Sequence, residues 1–123
     1  MSNYIYHNVN PLGLSEPDCV IRAISFATNT PYQDIIDLLQ DAGDFYVCEE
    51  LCVCCYSQLL TDYFKFEEIE TNGETVAEFA LQHPFGIFLI RMPGHLSCLI
   101  NGVCYDIWDC TNEKLTNCWR VSS

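Results

Sequence analysis

Asn101-Gly102 stands between two apolar runs, and no other dipeptide in the chain restricts the fold as tightly. A two-residue hairpin loop of this type needs positive φ at both positions, which asparagine and glycine tolerate, and it fixes the pairing of the flanking strands. Counting outward from the turn pairs Ile100 with Val103, Ser97 with Asp106, and His95 with Trp108. Because side chains alternate along a strand, residues 95, 97 and 99 share one face with 104, 106 and 108. His95 and Asp106 are then diagonal neighbours, whereas Asp109 falls on the opposite face. Cys98 and Cys104 point to opposite faces, which argues against a disulfide between them.

Before the hairpin the chain reads mainly as helices. Ser15-Glu16-Pro17-Asp18 has the marks of a helix start: a capping serine, an early proline and acids in the first turn. That helix runs to about Thr28 and buries Val20, Ile21, Ile24 and Ala27. Thr30 and Gln33 are spaced as a capping box for a second helix, whose stripe is Ile35, Ile36, Leu38 and Leu39. Residues 1–14 and 41–48 read as irregular. A third helix starts near Glu50 and carries Cys52, Cys55, Tyr56, Leu59, Leu60 and Tyr63. Residues 64–69 suit an edge strand, and Thr75 precedes a short helix that His83 and Pro84 end.

The strands follow. Phe85 to Arg91 is apolar enough to be central, Met92-Pro93-Gly94 turns the chain, and His95 to Ile100 pairs with Val103 to Asp109. Trp119 to Val121 adds a last strand. With 123 residues, half of them apolar, the expectation is one domain spanning residues 1–123. Helices first and strands second place it in the α+β class, N-terminal helices packed on a C-terminal antiparallel sheet.

Charge and cysteine usage narrow the function. Seventeen acids against five bases give a net charge of −12. Such a field repels phosphate backbones and anionic lipid, which excludes nucleic acid and membrane surfaces as partners and favours a basic substrate. No apolar run reaches the roughly 18–20 residues of a membrane helix, and the N-terminal residues lack the pattern of a signal peptide, so a cytoplasmic protein is expected. The nine cysteines are odd in number and are expected to be reduced, mostly as small core residues. Cys48, Cys52 and Cys55, with Cys54, Cys110 or Cys118, lack the second close pair typical of structural zinc. No metal and no cofactor is expected.

Cys19 is the exception among the thiols. It falls in the first turn of a helix, where unpaired N–H groups and the macrodipole favour an anion, and Arg22 adds positive charge three residues on. His95, held by Asp106, is the kind of oriented base that an activated nucleophile needs. Cys19 in Pro17-Asp18-Cys19-Val20, His95 in Pro93-Gly94-His95-Leu96 and Asp106 in Tyr105-Asp106-Ile107-Trp108-Asp109 occur in the order of the papain-like cysteine peptidase superfamily. The chain resembles that superfamily over roughly residues 15–110, and within it small Cys-His-Asp proteins of bacteria and their phages.

The resemblance implies a papain-like fold and a thiol enzyme of the cysteine hydrolase type acting on a peptide or protein amide, whose acyl-thioester is resolved by water or by an amine. Cys19 would be the nucleophile, His95 the general base and then acid, and Asp106 the orienter of His95. The glutamine that precedes the nucleophile in papain has no counterpart before Cys19. Asn8 or Asn10, or the backbone N–H of Cys19 with another donor, is expected to bind the oxyanion. Arg22 and Trp108 are expected to line the binding site. The alternative is a catalytically inactive acidic binding or inhibitor protein on the same fold.

Overall fold

The computed structural model describes residues 4–13, 18–47 and 52–121. Six strands, β1 (Tyr4–Tyr6), β2 (Glu67–Ile69), β3 (Ile87–Met92), β4 (His95–Ile100), β5 (Val103–Asp106) and β6 (Asn117–Val121), form one sheet in the order β1-β5-β4-β3-β6-β2. Four helices accompany it: α1 (Cys19–Thr28), α2 (Tyr32–Tyr46), α3 (Val53–Gln58) and α4 (Val76–Gln82). The class is α+β. No helix among the described residues is long and apolar enough to cross a membrane.

The hairpin has the register that its turn dictates. Asn101 and Gly102 adopt φ of 50° and 79°, and Ile100, Leu99 and Cys98 lie opposite Val103, Cys104 and Tyr105. The ladder then stops short of Asp109, because the Asp106 carboxylate takes the N–H of Ile107 at 2.7 Å and draws the chain out of the sheet. An alanine at position 102 would meet only ordinary contacts, the nearest being the Ala80 carbonyl oxygen at 3.5 Å. Gly102→Ala is therefore expected to cost about 1–2 kcal/mol through its left-handed backbone alone. The check is a lower denaturant midpoint with an unchanged m-value.

Strand β3 lies between β4 and β6 and is covered on both faces, which explains its continuous apolar run. On one face Leu89, Leu96, Cys98 and Trp119 pack with Ile24, Ile35, Leu39 and Leu60 of the N-terminal helices. On the other, Phe88, Ile90, Met92 and Leu99 pack with Val76 and Phe79 of α4. The second layer also takes Cys104, Cys110 and Cys118, whereas Cys55 and Cys98 belong to the first. Among the described residues eight cysteines are free.

The structure departs from the sequence reading in four places. Tyr4–Tyr6 was read as irregular but forms β1, which pairs in parallel with β5 and makes the sheet mixed rather than antiparallel. Three residues carry too little pattern to announce a strand, and this one depends on a partner a hundred residues away.

Residues 41–46 are not a loop. They continue α2, because Ala42 prolongs the buried stripe of Ile35 and Leu39 by one turn. The Thr30–Gln33 capping box does not form: Pro31 caps α2, Thr30 bonds Thr28, and Gln33 bonds Asp37. The third helix widens at its end into a π-helical turn over Leu59–Tyr63, where the N–H of Phe64 reaches the carbonyl of Leu59 at 3.1 Å.

Other expectations are met in shorter form. The strand expected over 64–69 is β2, at the sheet edge, and Thr75 forms a capping box with Glu78 at the start of α4. Ser15, Pro17, Cys48 and Glu50 lie outside the described residues.

Candidate active site

The start of α1 meets the ends of β4 and β5, and this junction assembles Cys19, His95 and Asp106. Cys19 is the first residue of α1, where the leading N–H groups have no intrahelical acceptors. Its thiol is hydrogen-bonded to the His95 ring and to the backbone N–H of Leu96. His95 opens β4 immediately after the Pro93-Gly94 turn, and its Nε2 lies 2.6 Å from Asp106 Oδ2. That contact leaves Nδ1 as the ring nitrogen available to the thiol.

Asp106 is 4 % exposed, and four groups hold it. Oδ2 accepts from Ser97 Oγ at 2.6 Å as well as meeting His95. Oδ1 accepts from the Ile107 N–H and from Arg22 Nη1 at 3.2 Å. Its backbone is clamped too: the Asp106 carbonyl receives the His7 N–H and the Tyr4 hydroxyl, both at 2.9 Å. A carboxylate with all its lone pairs engaged cannot rotate, so it fixes the imidazole that it binds.

These contacts set the charge states. Burial raises the pKa of Asp106, but the bonds from His95 and Ser97 outweigh it and hold the group below the usual carboxylate value. Burial lowers the pKa of His95, yet the bonds to Asp106 and Cys19 push it up to about 9. For Cys19 burial raises the pKa, and His95, the Leu96 N–H and Arg22 bring it below that of an ordinary thiol. The two shifts together favour a thiolate beside an imidazolium. By contrast, burial pushes the thiols of Cys98 and Cys118 upward, the latter to about 12.

Arg22 lines the cleft and has a further part behind it. It is 7 % exposed and bridges two acids, Asp18 through Nε and Asp106 through Nη1. Asp18 is in turn held by the Tyr32 hydroxyl at 2.6 Å and the Asn10 amide at 2.9 Å. Burial opposes its ionisation, and those bonds together with Arg22 keep its pKa low. Arg22 touches the cleft, but its donors serve Asp106, which makes it a positioning residue.

The cleft in front of Cys19 has a volume of about 490 Å³, and Trp108, Val53, Leu96 and Ile107 supply its apolar walls. Trp108 is brought to the site as expected: it is 46 % exposed, and its ring stands edge-on to His95 with centroids 5.0 Å apart. Asn8 and Asn10 are not brought there. Neither lines the cleft; Asn10 gives its amide to Asp18, and Asn8 accepts the Asn10 N–H at 3.0 Å. Asn10 thereby ties its own segment to Asp18 at the start of α1. Cys19, whose backbone N–H is the other donor expected, opens α1.

His95, Asp106 and Cys110 offer metal-ligand atoms within 4.8 Å of one another. The 2.6 Å contact between His95 and Asp106 is nevertheless hydrogen-bond spacing. A tetrahedral zinc would hold a nitrogen and an oxygen ligand about 3.3 Å apart. The cysteines weighed for zinc are also divided by the sheet, with Cys55 in one core layer and Cys110 and Cys118 in the other.

The sequence reading did not assign Asp18, Ser97 or Arg91 a role. Asp18 and Arg22 stand at the i, i+4 spacing of a helical ion pair, and Ser97 lies opposite Asp106 in the hairpin register. Arg91, which also lines the cleft, is the lone charge in the apolar run of β3. Comparison of the chain with protein-family models, with curated proteins and with solved structures finds no match.

Proposed function

We propose that the chain is a papain-like thiol enzyme that transfers the acyl group of an amide, with Cys19 as nucleophile and His95 as base and acid. The observation that supports this most is the meeting of a helix-start thiol with an imidazole that a saturated, buried carboxylate holds in place. A helix start and a hairpin far from it in sequence contribute to it, and a merely structural thiol has no use for the arrangement.

In this reading the Cys19 thiolate attacks the amide carbon, and the leading N–H groups of α1 stabilise the oxyanion. The carbon–nitrogen bond then breaks as His95 passes its proton to the departing amine, which leaves an acyl-thioester. Water attacks the thioester while His95 takes its proton; the carbon–sulfur bond breaks and the thiolate is restored. Asp106 keeps Nδ1 aimed at sulfur throughout, and Arg22 and Ser97 keep Asp106 in place.

The test is the pH dependence of alkylation at each cysteine, followed by mass spectrometry. At pH 6.5 Cys19 is expected to react at least tenfold faster than exposed Cys54, an advantage of about 1.4 kcal/mol. His95→Ala is expected to remove it. If Cys19 reacts like its neighbours, the enzyme reading fails and the acidic binding protein takes its place. Asp34, Asp37, Asp41 and Asp44, all exposed along α2, are the surface that would then carry the interaction.

A further inference from the structure

The cleft is cationic although the chain is strongly acidic. Besides the Cys19–His95 pair, its charged lining residues are Arg22 and Arg91, two of only five lysines and arginines, and among the described residues no aspartate or glutamate lines it. Arg22 is committed to Asp18 and Asp106. Arg91 is not. Its Nη1 donates to Thr116 Oγ1 at 2.9 Å and to Asn117 Oδ1 at 3.0 Å, and its side chain also bonds Tyr56.

All three partners of Arg91 are neutral, and among the described residues Arg91 forms no ion pair. A chain with 17 acids thus surrounds this one partly buried guanidinium with uncharged groups and turns it toward the cleft. Neutral partners fix the position of the group without cancelling its charge. Three of them leave part of its five-donor fork unused, and that fork matches a carboxylate in two-point fashion.

We infer that the substrate is an amide bearing a carboxylate, which Arg91 binds beside the bond that Cys19 attacks. The inference rests on the thiol-enzyme reading for the reaction. It replaces the basic substrate that net charge alone suggests, because contacts inside a cleft outweigh a screened distant field. The apolar walls around Trp108 accept the uncharged remainder of the substrate.

The experiment compares three alkylating reagents on the full chain at pH 6.5, with the rate at Cys19 read by mass spectrometry. They are iodoacetyl-glycine, iodoacetyl-glutamic acid α-amide and the neutral iodoacetyl-glycinamide. In each the thiolate sulfur bonds to the methylene carbon and iodide leaves. At least one carboxylate reagent is expected to react about tenfold faster than the neutral one, as a charge-assisted contact allows.

That preference is expected to vanish in Arg91→Gln and to survive in part in Arg91→Lys. The ratio of carboxylate to neutral rates within each protein cancels any general change in Cys19 reactivity that the substitution causes. Preference for the glycine reagent identifies a peptide C-terminus, and preference for the glutamate reagent an acidic side chain. A fast Cys19 without carboxylate preference, or a preference that persists in Arg91→Gln, overturns this inference and leaves the thiol enzyme standing. A Cys19 no faster than Cys54 with every reagent overturns both.

Discussion

Replacing Asp106 by alanine is expected to destabilise the protein by about 3–5 kcal/mol and to reduce Cys19 to the reactivity of an ordinary thiol at neutral pH. Both effects follow from the four side-chain contacts of this carboxylate. Without it Arg22, which is 7 % exposed, keeps a buried guanidinium with Asp18 as its one remaining acid, and Ser97 loses its acceptor. His95 loses the group that raises its pKa, and with it the positive charge that stabilises the Cys19 thiolate.

Asp106→Asn separates the two effects. It keeps the volume and part of the hydrogen bonding but not the charge. It should therefore recover some of the stability while leaving Cys19 slow. Denaturant unfolding and the alkylation rate at pH 6.5 measure the two quantities on the same samples. An Asp106→Ala protein that keeps a fast Cys19 would falsify the orienting role.

The second large effect is a fall in stability on the alkaline side of neutrality. His95 titrates at about 9 in the folded protein, against 6.5 for an unperturbed histidine. Its folded pKa lies above its unfolded one, so its contribution is fully present below pH 6.5. The contribution fades as pH rises and is gone once pH passes 9. The gap is worth on the order of 3 kcal/mol.

In a Cys19→Ser background, which removes the opposing titration of the thiol, the stability advantage of His95 over His95→Gln is therefore expected to shrink between pH 6 and pH 9.5. Two series of denaturant unfolding curves measure it. A difference that stays constant across this range would mean that His95 is neutral in the folded protein, with no imidazolium beside Cys19.

Much of the candidate site was legible because one turn fixes so much. Asn101-Gly102 sets the register, and the register puts His95, Ser97 and Asp106 together before any coordinates are known. Cys19 at a helix start was legible from the local pattern around Asp18. The role of Arg22 was not, since its second partner is Asp106, and no local pattern reports a contact across most of the chain.

The same limit hid β1, whose partner is the distant β5. Asn8 and Asn10 were misdirected at short range: Asn10 gives its amide to Asp18 at the start of α1, and Asn8 accepts the Asn10 N–H. The α2 extension was missed for a different reason. Asp41, Gly43 and Asp44 weaken helix propensity, and the burial of Ala42 against the core overrides it.

The clamp on the Asp106 backbone also has a consequence in time. Tyr4 and Asp106 are 102 positions apart, so the contact between them closes only after the whole stretch between them has left the ribosome. Synthesis proceeds at roughly 5–20 residues per second, which separates the appearance of Cys19 from that of Asp106 by on the order of ten seconds. Until Asp106 has emerged, no carboxylate can hold the His95 ring against the thiol. On the proposed reading, a nascent chain thus carries its nucleophile in an idle state until the polypeptide closes on itself.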